Sequence, residues 1–230
     1  MIIPVSVKNQ SIDSSGITSD YKAAISEYVW NGFEANATKV SIEYTHNEAF
    51  GVKELIIKDN GEGINYNELG ETFGAFLASK KNLLSLQMKS KANKGKGRFS
   101  FIAFSNNAEW HTVYKDNDVY KEYDIAMSSD KKEVIDCSEP QLSEQNATGT
   151  EVRFFNINTL TVENMSFEVI ESALLKDFAW FLYLYKNKDA EIIVNGEKID
   201  YKKYINTDLS EKVMVTIDGY RFEINLIVWQ

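Results

Sequence analysis

The stretch Ala24-Ile-Ser-Glu27-Tyr-Val-Trp-Asn31-Gly-Phe-Glu34-Ala-Asn-Ala-Thr38 decides how the rest of this 230-residue chain is read. Ser19 or Asp20 can cap a helix running to about Ala35, because either side chain can accept from the exposed first-turn amides. At 100° per residue, Glu27, Asn31 and Glu34 fall at about 0°, 40° and 340°, a single narrow stripe. Ile25, Val29, Trp30 and Phe33 fall between about 160° and 300°, on the opposite side, and form the anchoring face. Alone, the pattern describes a plain amphipathic helix with its charged side in water.

Three later segments change that reading. The strand Lys53-Glu-Leu-Ile-Ile-Lys58 runs into Asp59-Asn-Gly61-Glu-Gly63. An Asp at a strand end followed by glycines at +2 and +4 sets a carboxylate where the backbone turns tightly, although Asp-Asn-Gly is also an ordinary turn sequence. Next comes Ala92-Asn-Lys94-Gly95-Lys96-Gly97-Arg98, a glycine-bearing loop opening into the apolar run Phe-Ser-Phe-Ile. Bare amides at a helix start with lysines nearby form a cradle for phosphate, and a lone Gly-x-Gly is equally a flexible loop. Finally, Thr148-Gly149-Thr150 puts a small hydroxyl residue at the start of a strand.

The charge distribution agrees with an anion site. The chain carries a net charge of −9, yet the 37 residues between Glu71 and Glu109 contain no Asp or Glu and seven basic residues. Those are Lys80, Lys81, Lys89, Lys91, Lys94, Lys96 and Arg98; outside them 18 basic residues face 34 acidic ones. An acidic protein with one acid-free basic segment has a place to hold an anion, and the same segment also fits a solvated basic loop. The overall acidity argues against a protein coated in nucleic acid.

Two prolines and twelve glycines exclude a low-complexity or collagen-like chain. The single cysteine, Cys137, excludes an internal disulfide framework and a four-cysteine zinc site, and a reducing compartment is the default. The longest apolar run, Phe178 to Tyr185, falls short of the about 20 residues needed to span a bilayer. Met1 to Lys8 has neither a basic leader nor a long apolar core, so the expectation is a cytoplasmic protein without a membrane partner.

Periodicity predicts strands at 1–8, about 38–45, 53–58, 108–115, 118–125, 132–137 and 149–155. It predicts helices at about 97–105 and 164–186, and short strands over 190–229 separated by the hairpin signals Asn195-Gly196 and Asp218-Gly219. Runs of adjacent antiparallel-type strands dominate the middle. The predicted fold is an α/β two-layer sandwich, a mixed and mainly antiparallel sheet with helices on one face. A domain is expected over 1–188, followed by a β-rich extension over 189–230. The extension's last strand, Phe222 to Trp229, suggests the start of a further domain in a longer protein.

Taken in order, the four segments resemble the motifs of the GHKL ATPase superfamily: gyrase, the ninety-kilodalton heat-shock chaperone, histidine kinases and MutL. Glu27-x-x-x-Asn31 resembles its first motif, Asp59-x-Gly61-x-Gly63 the second, Lys94-Gly95-Lys96-Gly97 the third and Gly149-Thr150 the fourth. The Ala-Thr ending of the first motif and Ala78-Ser79-Lys80 are similar to the MutL, MORC and heat-shock chaperone branches. The third motif departs from the family's Gly-x-x-Gly-x-Gly, since Ala92 stands at its first glycine.

The resemblance implies a Bergerat-type fold, ATP and Mg2+ as cofactors, and a lid at about 66–97. It implies that Asp59 accepts from the adenine amine, with Thr150 in support, while Gly61 and Gly63 let the backbone pass close to the base. Asn31 would bind Mg2+ and Glu27 would act as general base on the attacking water. Gly95 and Gly97 would donate amides to the phosphates, with Lys80, Lys94, Lys96 and Arg98 as candidates to neutralise them. The implied activity is slow ATP hydrolysis serving as a conformational switch in a larger protein of chaperone, DNA-repair or defence type. The implied partners are ATP or ADP and a second copy on ATP binding, with nucleic acid reached only through other domains. A regulatory module that holds nucleotide without turnover is the alternative, and the intact Glu27 speaks against it. A protein kinase fits poorly, because no acceptor-histidine segment precedes the domain.

Overall fold

The computed structural model of the protein describes residues 17–72 and 97–229. Helix α1 spans Tyr21–Glu34, and Asp20 caps it by accepting from the Lys22 amide at 2.9 Å. At its other end Ala35 closes the last turn, and Asn36 takes a left-handed conformation with φ 61° that turns the chain into the sheet. Strands β1 (Lys39–His46) and β2 (Val52–Asp59) form an antiparallel hairpin in which Val40 faces Asp59. The Asn60 side chain staples the two ends together, accepting from the amides of Thr38 and Lys39 at 2.9 Å each.

After a 3-10 turn at Tyr66–Glu68 comes the short helix α2 (Leu69–Thr72). The expected strand at 1–8 and most of the expected lid lie outside the described residues. The helix expected at 97–105 is a 3-10 helix over Gly97–Ala103. Arg98, Phe99, Ser100 and Phe101 are all buried, so this short helix is enclosed on every side rather than laid on the sheet by one apolar face.

Strands β3 (Ser105–Asp116) and β4 (Val119–Ser128) follow, joined by a tight turn in which Asn117 and Asp118 both have positive φ. The strand expected at 132–137 shrinks to β5 (Asp136–Cys137), and β6 (Gln141–Leu142) also pairs with β4. Strand β7 (Gly149–Ile157), helix α3 (Phe167–Leu184), β8 (Glu191–Val194) and β9 (Glu197–Lys198) complete the layer structure. The sheet runs β5-β4-β3-β7-β2-β1-β8-β9, parallel only between β1 and β8. It is a mixed, mainly antiparallel sheet, as expected. Strands β8 and β9 belong to it, so the chain after residue 188 first continues the main sheet. Only β10 (Glu211–Ile217) and β11 (Tyr220–Leu226) form a separate two-stranded sheet. Both Asn-Gly and Asp-Gly signals mark the turns they predict, with all four residues at positive φ.

Register explains which face is covered. Ile42, Ile57, Val152, Trp110 and Ile125 oppose one another across five strands and are all buried. Helices α1 and α3 close this face through an aromatic seam: Trp30 lies 4.3 Å from Phe178 and Phe33 4.6 Å from Phe181, centroid to centroid. The opposite face carries exposed charge pairs such as Lys58–Glu151 at 3.2 Å and Arg153–Glu54 at 3.4 Å, which contribute little to stability. No helix among the described residues is long and apolar enough to cross a membrane.

Phe178 is fully buried between the two helices. Phe178→Ala is expected to cost about 3–5 kcal/mol in chemical denaturation, from lost transfer energy and the cavity left behind.

Candidate functional site

Burial wraps α1 further round than the sequence predicts. Tyr28 and Ala24 are buried as well as the predicted anchors Ile25, Val29 and Phe33, while Trp30 remains partly covered. Glu34 is exposed, but Glu27 and Asn31 are only half-exposed, so this part of the stripe is a sheltered rim rather than a wet face. The cover is the start of the 3-10 helix. A methyl group at Gly97 would meet Glu27 Oε2 at 3.2 Å and the Asn31 amide at 3.7 and 3.8 Å. The glycine thus stands over the carboxylate and the amide together, leaving its backbone accessible to whatever they hold. The Tyr28 hydroxyl fixes this approach by donating to the Arg98 carbonyl at 3.0 Å.

The second half of the site is joined to the first through α1. Gly32 presses on the end of β2, where an added Cβ would lie 2.9 Å from Asp59 Cβ and 2.9 Å from Val40 Cγ2. Only a residue without a side chain lets the helix bearing Asn31 come this close to Asp59. The Asp59 carboxylate is turned back on its own loop, where Oδ1 accepts from the Gly61 amide at 2.8 Å. Gly61 in turn abuts the Ala35 carbonyl at the helix end. Gly63, with φ 74°, has the Val113 carbonyl where a side chain would stand, so this turn requires glycine on both counts.

Burial pushes the Asp59 carboxyl above its ordinary value of 3.8, and the amides of Gly61 and Thr150 pull the other way. The carboxylate is an acceptor in a partly dry place, and such a group suits a neutral N–H donor.

Across the sheet, Asp59 pairs with Thr150 and Thr150 with Thr112, which sets the three side chains side by side on one face. Thr112 was not among the predicted residues. It is fully buried, accepts from the Ile64 amide at 2.9 Å and lies 3.0 Å from the Thr150 hydroxyl. A threonine inside a strand carries no local signal; register with Thr150 was the clue that could have found it.

The structure therefore brings Glu27, Asn31 and Gly97 into one group, and Asp59, Gly61, Gly63 and Thr150 into another, with Gly32 and Ala35 linking them. Arg98 sits beside Gly97 in the chain, but its guanidinium is buried over the Phe99 ring at 4.7 Å, and burial pulls its pKa down to about 10. It stays cationic at neutral pH. Lys80, Lys94, Gly95 and Lys96 lie outside the described residues. A shallow cleft on the opposite side of the sheet, lined by Glu43, Thr45, Glu54 and Asn195, includes none of the predicted site residues. No cluster of three or more His, Cys, Asp or Glu side chains placed to hold a metal occurs among the described residues.

Residues 18–159 match the family model described as histidine kinase-, DNA gyrase B- and HSP90-like ATPase. The chain belongs to this family. No curated protein matches it. The matched stretch contains α1, both glycine turns and the Asp59–Thr150–Thr112 row, and the family's members bind ATP with Mg2+. The residues present fit that pair of ligands. A half-buried carboxylate suits the adenine amine, and a carboxylate and an amide beneath a glycine suit the phosphate end.

Asp59 is held at a cost that its protonation relieves. Because its folded pKa is raised, the native state gains relative stability as pH falls toward that pKa and loses it as pH rises through it. Asp59→Asn should thus raise the melting temperature of the nucleotide-free protein at pH 7. The difference from wild type should shrink as pH is lowered toward 4, as read by thermal denaturation across a pH series.

Proposed function

We propose that this domain binds ATP with Mg2+ and hydrolyses it slowly, using the bound nucleotide as a conformational switch. The observation that supports this reading most is the position of Gly97 directly over both Glu27 and Asn31, on the helix that Gly32 seats against Asp59. One end of the site offers an acceptor for a base and the other offers oxygen ligands and a base for phosphate chemistry.

In this reading Asp59 accepts from the exocyclic amine of adenine. Guanine presents a carbonyl oxygen there and leaves both groups unpaired, which selects ATP over GTP. Bound Mg2+, a hard cation that prefers oxygen, supplies neutralisation of charge on the phosphates, and Asn31 would hold it through its side-chain oxygen. Glu27, one turn before Asn31 on the same rim, orients the attacking water and takes its proton. The half-burial of Glu27 favours turnover over simple retention of nucleotide, because binding alone has no use for a sheltered carboxylate beside the phosphates. The motif style supports a place near the MutL, MORC and heat-shock chaperone branches, with self-association on ATP binding, in the cytoplasm.

Calorimetric titration with ATP in the presence and absence of Mg2+ tests the reading; no binding, or no metal dependence, would count against it. Asp59→Asn should weaken ATP binding by about 2 kcal/mol, from an amine and an amide facing each other across a buried contact. Glu27→Ala should retain ATP binding and reduce phosphate release by about 10²-fold or more; unchanged turnover would remove Glu27 as the base.

A further inference from the structure

Tyr28 follows Glu27 on α1 but faces the core, where it is almost fully buried. Its ring stands edge-on to Phe154, 4.8 Å between centroids, and lies 6.4 Å from Trp110, so two strands of the sheet fix it. Burial pushes its pKa far above the ordinary value of 10.0, and the phenol keeps its proton at every pH near neutral. The hydroxyl donates to the Arg98 carbonyl at 3.0 Å. That direction is settled, because a carbonyl oxygen only accepts. The Phe101 amide bears on the same hydroxyl oxygen.

Gly97 opens the 3-10 helix and Arg98 follows it, so whatever holds the Arg98 carbonyl also holds Gly97. Gly97 in turn stands over Glu27, where an added methyl would meet Oε2 at 3.2 Å. Glu27 and Tyr28 are consecutive residues of one helix, and the hydrogen bond from the second therefore sets the gap above the first. The base end is held by other contacts. Gly61 rests on the Ala35 carbonyl, Gly32 on Asp59, and the Ile64 amide donates to Thr112 at 2.9 Å; none of these contacts includes Tyr28. Removing one oxygen from Tyr28 thus loosens the phosphate end and leaves the base end in place.

We propose that Tyr28 is a positioning residue whose hydroxyl sets the height of Gly97 over Glu27 and Asn31, and with it the grip of the site on the phosphates of a nucleotide. The inference rests on the ATP reading above and adds to it a residue on the core side of α1 that governs one end of the ligand alone.

The test is a pair of titrations of the full chain in the presence of Mg2+, one with ATP and one with adenosine, which has the same base and ribose and no phosphates. Wild type should bind ATP more tightly. Tyr28→Phe keeps the ring and removes the hydroxyl. It should weaken ATP binding about tenfold, the worth of one hydrogen bond, and leave adenosine within about twofold of wild type. A merely structural role for Tyr28 would weaken both ligands alike or neither, so an unchanged ratio of the two affinities overturns the inference. Where the phenylalanine variant does not fold, 4-aminophenylalanine in place of Tyr28 keeps a donor to the carbonyl. It should hold the wild-type ratio, and a ratio that falls despite that donor overturns the inference. So does a wild type that binds adenosine as tightly as ATP, because the phosphates then contribute nothing for Tyr28 to govern. Binding of neither ligand by wild type would instead overturn the ATP reading itself.

Discussion

The site depends on keeping a carboxylate partly dry at the end of a strand. Asp59 ends a strand whose inward neighbours, Ile57 and Leu55, are core residues, and the same alternation that buries them turns Asp59 toward the helix layer. Amides of Gly61 and Thr150 hold it there, yet they do not cancel the cost of burial, since its pKa remains raised. A fold selected only for stability would place an apolar residue or an ion pair at this position. An acceptor held in a sheltered place at a cost to folding keeps that energy in reserve for any donor that reaches it.

Close approach of backbone is the second constraint, and it follows from the first. Helix α1 must bring Asn31 and Glu27 near the strand end that bears Asp59. Gly32 makes that possible, because any side chain there would displace either Asp59 or Val40. At the other end of the helix stripe Gly97 leaves the rim open, while Tyr28, one residue from Glu27, ties the helix to the Arg98 carbonyl from beneath. The apolar seam of Trp30, Phe33, Phe178 and Phe181 on the far side of α1 keeps these approaches from relaxing. Packing on one side of the helix thereby sets the chemistry on the other.

What the sequence discloses and what it hides divide along the same physical line. Local signals read well: the Asp20 cap, the Asn195-Gly196 and Asp218-Gly219 turns, and the Glu27-x-x-x-Asn31 spacing each depend on residues within one turn or one hairpin. The turn at Asn117-Asp118 has no glycine and gives a weaker signal, although both residues adopt the same left-handed conformation. The helix at Gly97–Ala103 was legible but its 3-10 geometry was not, because periods of about 3.0 and 3.6 cannot be told apart over seven residues. Thr112 and Gly32 were missed for another reason. Their roles arise from contacts with residues 38 and 27 positions away, Thr150 and Asp59, and nothing near either of them in sequence marks the contact.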